Sequence, residues 1–90
     1  MAITPYSGQK VIEVAGDGVI GTSGAETEVV SVYAQGGAAV LYNGTSTGGT
    51  KILTLADGDA VYYGSPGVIC EDGLYVDWTT GTISISYRQG

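Results

Sequence analysis

The chain has 90 residues, 43% hydrophobic and 13% charged, with 16 glycines, one cysteine, no histidine and a net charge of −6. That balance excludes a disordered chain, which is poor in apolar residues and rich in charge, and a disulfide-stapled module, which needs paired cysteines. Lys10, Lys51 and Arg88 are the only cations. They are too few and too scattered to displace phosphate counterions from a nucleic acid or to hold an anionic membrane surface.

Ninety residues predict one domain. A chain of this size buries roughly 60–65% of its unfolded surface, enough for one thin core. Residues 1–9 read as a flexible N-terminal arm, since Pro5, Ser7 and Gly8 do not favour regular structure. Residues 10–14 are β-branched in a row and predict a short strand. Asp17-Gly18 is hairpin-turn chemistry, Val19-Ile20 a brief apolar pair, and residues 21–24 a loop.

A longer strand is predicted over 26–35, with Val30, Val32 and Ala34 toward the core and Val29, Ser31 and Tyr33 on the other parity. Gly36-Gly37 ends it. Residues 38–42 are apolar on both parities and predict a central strand. A glycine-rich turn fills 43–49, and residues 50–55 resume with Leu53 and Leu55 on one face. Asp57-Gly58 turns the chain into a strand at 60–63. Pro66 and Gly67 suit the middle of the next turn, followed by a very short strand at 68–70.

Leu74, Val76 and Trp78 share one face of a strand over 74–78, opposite Tyr75 and Asp77. Thr79-Thr80-Gly81 turns the chain again. Residues 82–88 alternate strictly, with Ile83, Ile85 and Tyr87 inward, and Thr82, Ser84, Ser86 and Arg88 outward. No helical period survives two turns free of glycine. The predicted class is all-β: a single antiparallel β-sandwich, or a barrel-like variant, of seven or eight short strands over residues 10–90.

Little in the sequence carries chemistry. Without histidine there is no general base of neutral pKa and no Ser-His or Cys-His pair. A carboxylate pair would need a substrate cleft, for which a small sandwich has little room. The chain is therefore expected not to be an enzyme and to take no cofactor. Asp57-Gly58-Asp59 and Glu71-Asp72 offer oxygen ligands but lack the length and ligand number of a calcium loop, so solvated turns are expected there. Residues 44–51 superficially resemble a phosphate loop, yet Lys51 follows Thr50 in the wrong order, and a hairpin loop is the expectation. Asn43-Gly44-Thr45 is formally a glycosylation sequon, but Asn-Gly is independently a turn signal. Cys70 follows Val68 and Ile69 and is expected to be a buried, inert thiol.

The opening residues lack a basic start and an apolar run of signal length, and no stretch approaches the ~20 apolar residues of a membrane helix. The expectation is a soluble protein made in the cytoplasm. Its seven tyrosines and Trp78 stand in for absent phenylalanines. Tyrosine combines an apolar ring with a polar tip, which suits sheet faces and interfaces. Tyr62 and Tyr63 point to opposite faces of one strand, and Tyr75 lies opposite the Leu74–Val76–Trp78 face. These three, with Ile3 and Tyr6 of the arm, are the candidate protein contacts.

Tyr42-Asn43-Gly44, Gly49-Thr50-Lys51-Ile52-Leu53, Pro66-Gly67, Asp72-Gly73-Leu74-Tyr75-Val76 and Ile83-Ser84-Ile85-Ser86-Tyr87 span about half the chain. This series of turns and strands resembles small β-rich virion structural proteins of tailed bacteriophages, of the head decoration (cement) type. The resemblance implies no catalysis, assembly in the host cytoplasm onto the virion, a major capsid protein or other virion protein as partner, and a homo-oligomer, commonly a trimer. An arm such as residues 1–9 would add a strand to a neighbour's sheet edge. The alternative reading is a glycan- or receptor-binding module of a tail fibre or spike. A weaker third is a toxin-like or inhibitor domain.

Overall fold

The computed structural model describes residues 9–64 and 66–89. The predicted arm, apart from Gln9, lies outside the described residues, and with it Ile3 and Tyr6. The described residues form no helix. They form one antiparallel sheet of seven strands: β1 (Lys10–Val14), β2 (Gly18–Val19), β3 (Thr27–Asn43), β4 (Thr50–Leu55), β5 (Ala60–Tyr62), β6 (Val68–Cys70) and β7 (Leu74–Gln89).

Five strands are short, as expected. Two are not: β3 has 17 residues and β7 has 16. The strand ends predicted at Gly36-Gly37 and at Thr79–Gly81 are corrected here, because β3 and β7 pair with each other from Thr27↔Gln89 to Asn43↔Leu74. What the glycines do instead is shift the register, between Gln35 and Ala38 and again between Ala38 and Ala39. A bulge bends and twists a strand without ending it. Gly36 and Gly81 sit at φ of 62° and 76°. A β-carbon on Gly81 would collide with the Gly36 carbonyl and the Gly37 α-carbon, so the two backbones pass each other in direct contact at the bend.

The other strands flank this long ribbon. β1 and β2 lie in succession along β7, while β4, β5 and β6 lie in succession along β3. A straight 16-residue strand would extend about 53 Å, but the molecule's longest dimension is 37 Å. Its two ends in fact meet. The Ile20 amide donates to the Leu74 carbonyl at 2.8 Å, while the Gln89 side-chain amide donates to the Ile20 carbonyl at 3.3 Å and accepts from the Thr22 amide at 2.8 Å. Leu74 and Gln89 are opposite ends of β7. The sheet is therefore folded back on itself, and its two halves form the two layers of the sandwich. Its outer strands do not pair with each other, so it is not a closed barrel.

The core lies between the layers. Val29, Val32, Ala34, Ile83, Ile85 and Tyr87 come from one half, and Ala39, Leu41, Leu55, Leu74 and Val76 from the other. Burying each of the larger aliphatic side chains contributes roughly 1.5–3 kcal/mol. The strict alternation of β7 holds as predicted: Ile83, Ile85 and Tyr87 are buried. In β3, Val30 is buried as predicted, while Val29, placed on the other parity, is corrected, since it is buried too. The ladder shifts between Val29 and Ser31, which leaves Val30 unpaired with β7 and changes the parity at that point.

Candidate protein-docking face

The outer face of the first layer is the most exposed apolar surface of the described residues. It is built by register. Tyr62 of β5 lies opposite Ser31 of β3, Ser31 opposite Ser86 of β7, and Ser86 opposite Val11 of β1. The next row runs Ala60, Tyr33, Ser84 and Glu13. Because Ile83, Ile85 and Tyr87 take the inward positions, Ser84 and Ser86 must point outward. The alternation of β3 after its bulge does the same for Ser31 and Tyr33.

The result is a floor of three small hydroxyl residues between larger side chains. Tyr62 is 78% exposed, Val11 68% and Tyr33 43%. Between Tyr62, Tyr33 and the serines lies a trough of about 240 Å³, lined also by Val32, Ala60 and Val61. In a chain of net charge −6, these two rows contain one charged residue, Glu13. At one border, Glu28 lies opposite both Ile69 and Arg88. Its carboxylate is buried, sits 3.7 Å from the Arg88 guanidinium and accepts from the Gly67 amide.

The predicted contacts separate. Tyr62 stands free on this face. Tyr63 turns inward and packs on the core, with its amide donating to the Val30 carbonyl at 2.8 Å. Burial raises its hydroxyl pKa above the ordinary value, and the nearby Cys70 adds to the rise. Tyr75 is half-buried in the other layer, opposite Val19 and Tyr42. Tyr33 and Val11 were not among the predicted contacts, although the parity that placed Val32 and Ala34 inward already pointed Tyr33 outward.

The remaining motifs lie largely in turns and loops. Residues 44–49 join β3 to β4 as a hairpin loop, tied by the Gly49 amide donating to the Ser46 carbonyl. The Asp59 carboxylate accepts from the Ala56 amide at 2.8 Å within its own turn. Among the described residues, no group of three or more His, Cys, Asp or Glu could hold a metal ion. Cys70 is fully buried, and burial pushes its thiol up to about 11. No protein-family model, curated protein or solved structure matches the chain.

Proposed function

We propose that this chain is a non-enzymatic virion structural protein, of the capsid-decoration kind, that binds other proteins through the outer face carrying Tyr62. The supporting observation is that face itself: a charge-poor patch on an acidic chain, with a tyrosine 78% exposed beside a floor of serines. Exposed aromatics on a charge-depleted patch are the usual make-up of an interface centre. The mechanism is static. Many copies bury aromatic and aliphatic area against neighbouring subunits, and multivalent attachment supplies avidity that no single small contact has. The resemblance to phage head proteins directs the choice of partner toward capsid or other virion proteins.

A glycan-binding role is the second reading, favoured by tyrosine rings beside hydroxyls. Size weighs against it. The trough of about 240 Å³ is below the ~300–1,000 Å³ of ordinary ligand pockets, and suits one protein side chain better than a sugar. The test is quantitative mass spectrometry of purified particles made by the phage that encodes the chain. The expected result is the chain in fixed proportion to the major capsid protein, with particles lacking it less resistant to heat. Particles free of the chain would overturn the reading.

A further inference from the structure

We infer that Asn43 is a masked deamidation site: the fold withholds a reaction that the Asn43-Gly44 pair undergoes when the turn between β6 and β7 lifts. The reaction does not involve the Tyr62 face.

The chemistry needs only this chain and water. Asn43 is the sole asparagine, and a glycine follows it. Glycine has no β-carbon to crowd its own backbone nitrogen. Once that nitrogen gives its proton to a base in solvent (hydroxide or buffer), it attacks Cγ of the Asn43 carboxamide. The new N–Cγ bond closes a five-membered succinimide, and the Cγ–Nδ2 bond breaks to release ammonia. Water then opens the ring. Addition at Cγ leaves aspartate on a normal backbone. Addition at the main-chain carbonyl leaves isoaspartate, whose backbone runs through the side chain and is one methylene longer. Either product has lost ammonia, gained water and, once ionised, gained a negative charge. The Asp-Gly pairs at 17–18, 57–58 and 72–73 close the same ring far more slowly at neutral pH, because an ionised carboxylate is a poor electrophile.

The structure ties both reacting groups to one place. The Gly44 amide donates to the Gly73 carbonyl at 3.1 Å, so the proton that must leave is held. The Asn43 Oδ1 accepts from the Asp72 amide at 2.9 Å, which anchors the carboxamide to the same turn. That second bond also polarises the carbonyl, so the tie on Gly44 is the one that must open. Asn43 ends β3 and lies opposite Thr50 of β4 and Leu74 of β7. Ring closure must rotate its backbone out of the extended conformation, and both ladders resist. The turn is held by packing of Gly73, at φ of 106°, close against Gly24 and Gly44, while Glu71 and Asp72 stand exposed. Where this turn lifts, the nitrogen and the carboxamide are freed together. Isoaspartate then makes the opening permanent, since a strand one methylene longer cannot keep its register on both sides.

Intact-mass spectrometry follows the reaction directly, because no other asparagine contributes, and peptide mapping separates aspartate from isoaspartate. The chain is incubated at mildly alkaline pH in buffer and in concentrated urea. The folded chain should react at least about tenfold more slowly, because two hydrogen bonds must open first. Equal rates would overturn the inference. Gly73→Ala adds a β-carbon at a positive φ and against Gly24 and Gly44. It should speed the reaction in buffer roughly fivefold or more. Gly81→Val disturbs the bend instead; if it speeds the reaction as much as Gly73→Ala, the local lock is wrong. Should Gly73→Ala fail to fold, hydrogen exchange of the unaltered chain decides. The Gly44 amide should exchange faster than the slowest amides of β3 and β7, through local opening. Exchange at that slowest rate would also overturn the lock.

Discussion

At the scale of single residues, the bend of the long ribbon depends on Gly81. It combines a positive φ with a backbone neighbour where a side chain would stand. A β-branched residue there meets both penalties, left-handed strain of about 1–2 kcal/mol and overpacking of about 1–3 kcal/mol. Gly81→Val is expected to lower stability by roughly 2–4 kcal/mol in urea unfolding; an unchanged midpoint would contradict the close approach at the bend. Cys70 gives a pH signature. Its thiol is raised to about 11 when folded, so the folded state holds the proton more tightly than the unfolded chain. The favourable difference is fully present below the unfolded value of 9.0 and is lost as pH rises through about 11. Tyr63 shifts in the same direction. Stability should therefore fall between pH 9 and 11, with up to about 2–3 kcal/mol due to the thiol. Cys70→Ala should flatten that part of the pH profile.

At the scale of elements, the β5–β6 connection is held to β3 through Glu28. This nearly fully buried carboxylate faces Arg88 and the Gly67 amide, and so links β3, β7 and the turn before β6. Its removal takes the acceptor from the Gly67 amide and a carboxylate from beside Arg88 in a low-dielectric setting. Glu28→Ala is expected to destabilise by roughly 2–3 kcal/mol, read from denaturant midpoints. Because Arg88 keeps some solvent access, the loss should be smaller than for a fully enclosed pair. A second tie closes the bend: the Trp78 amide donates to the Asp17 carboxylate at 2.7 Å, and its indole donates to the Gly81 carbonyl at 2.8 Å. Trp78→Phe removes the second bond and should lower stability by about 1 kcal/mol or somewhat more. A loss no larger than that of an exposed substitution would argue against the indole bond.

At the scale of the whole molecule, β3 and β7 join residues as far apart as Thr27 and Gln89, 62 positions along the chain. Such closures delay the rewarding contacts, so folding should take milliseconds to seconds rather than microseconds. Stopped-flow fluorescence of Trp78, the only tryptophan, checks this, and a microsecond phase carrying the full amplitude would contradict it. The acid excess also acts on the fold. Self-repulsion at net −6 should make the melting temperature rise as salt screens it, measurable by calorimetry at low and moderate ionic strength.

Strand chemistry and alternation along the chain determined that this is an all-β antiparallel protein. They also determined which side of residues 82–88 is buried, that Cys70 lies inside, and that Tyr62 and Tyr63 face opposite ways. These follow from the local two-residue period and from the cost of burying polar groups. Whether glycines end a strand or bend it was decided only in three dimensions. Gly36-Gly37, Gly81 and Asp17-Gly18 all carry turn signals, yet none reverses the chain: β3 and β7 stay paired through the bend, and β1 and β2 run on along β7 in one direction, so the hairpin turn expected at Asp17-Gly18 is corrected too. The docking face is of the same kind. Tyr33, Tyr62, Ser84 and Val11 are each legible as outward positions, yet they belong to four strands. Only the pairing of those strands, set by long-range hydrogen bonds that leave no local trace, brings them onto one surface and leaves Tyr75 in the other layer.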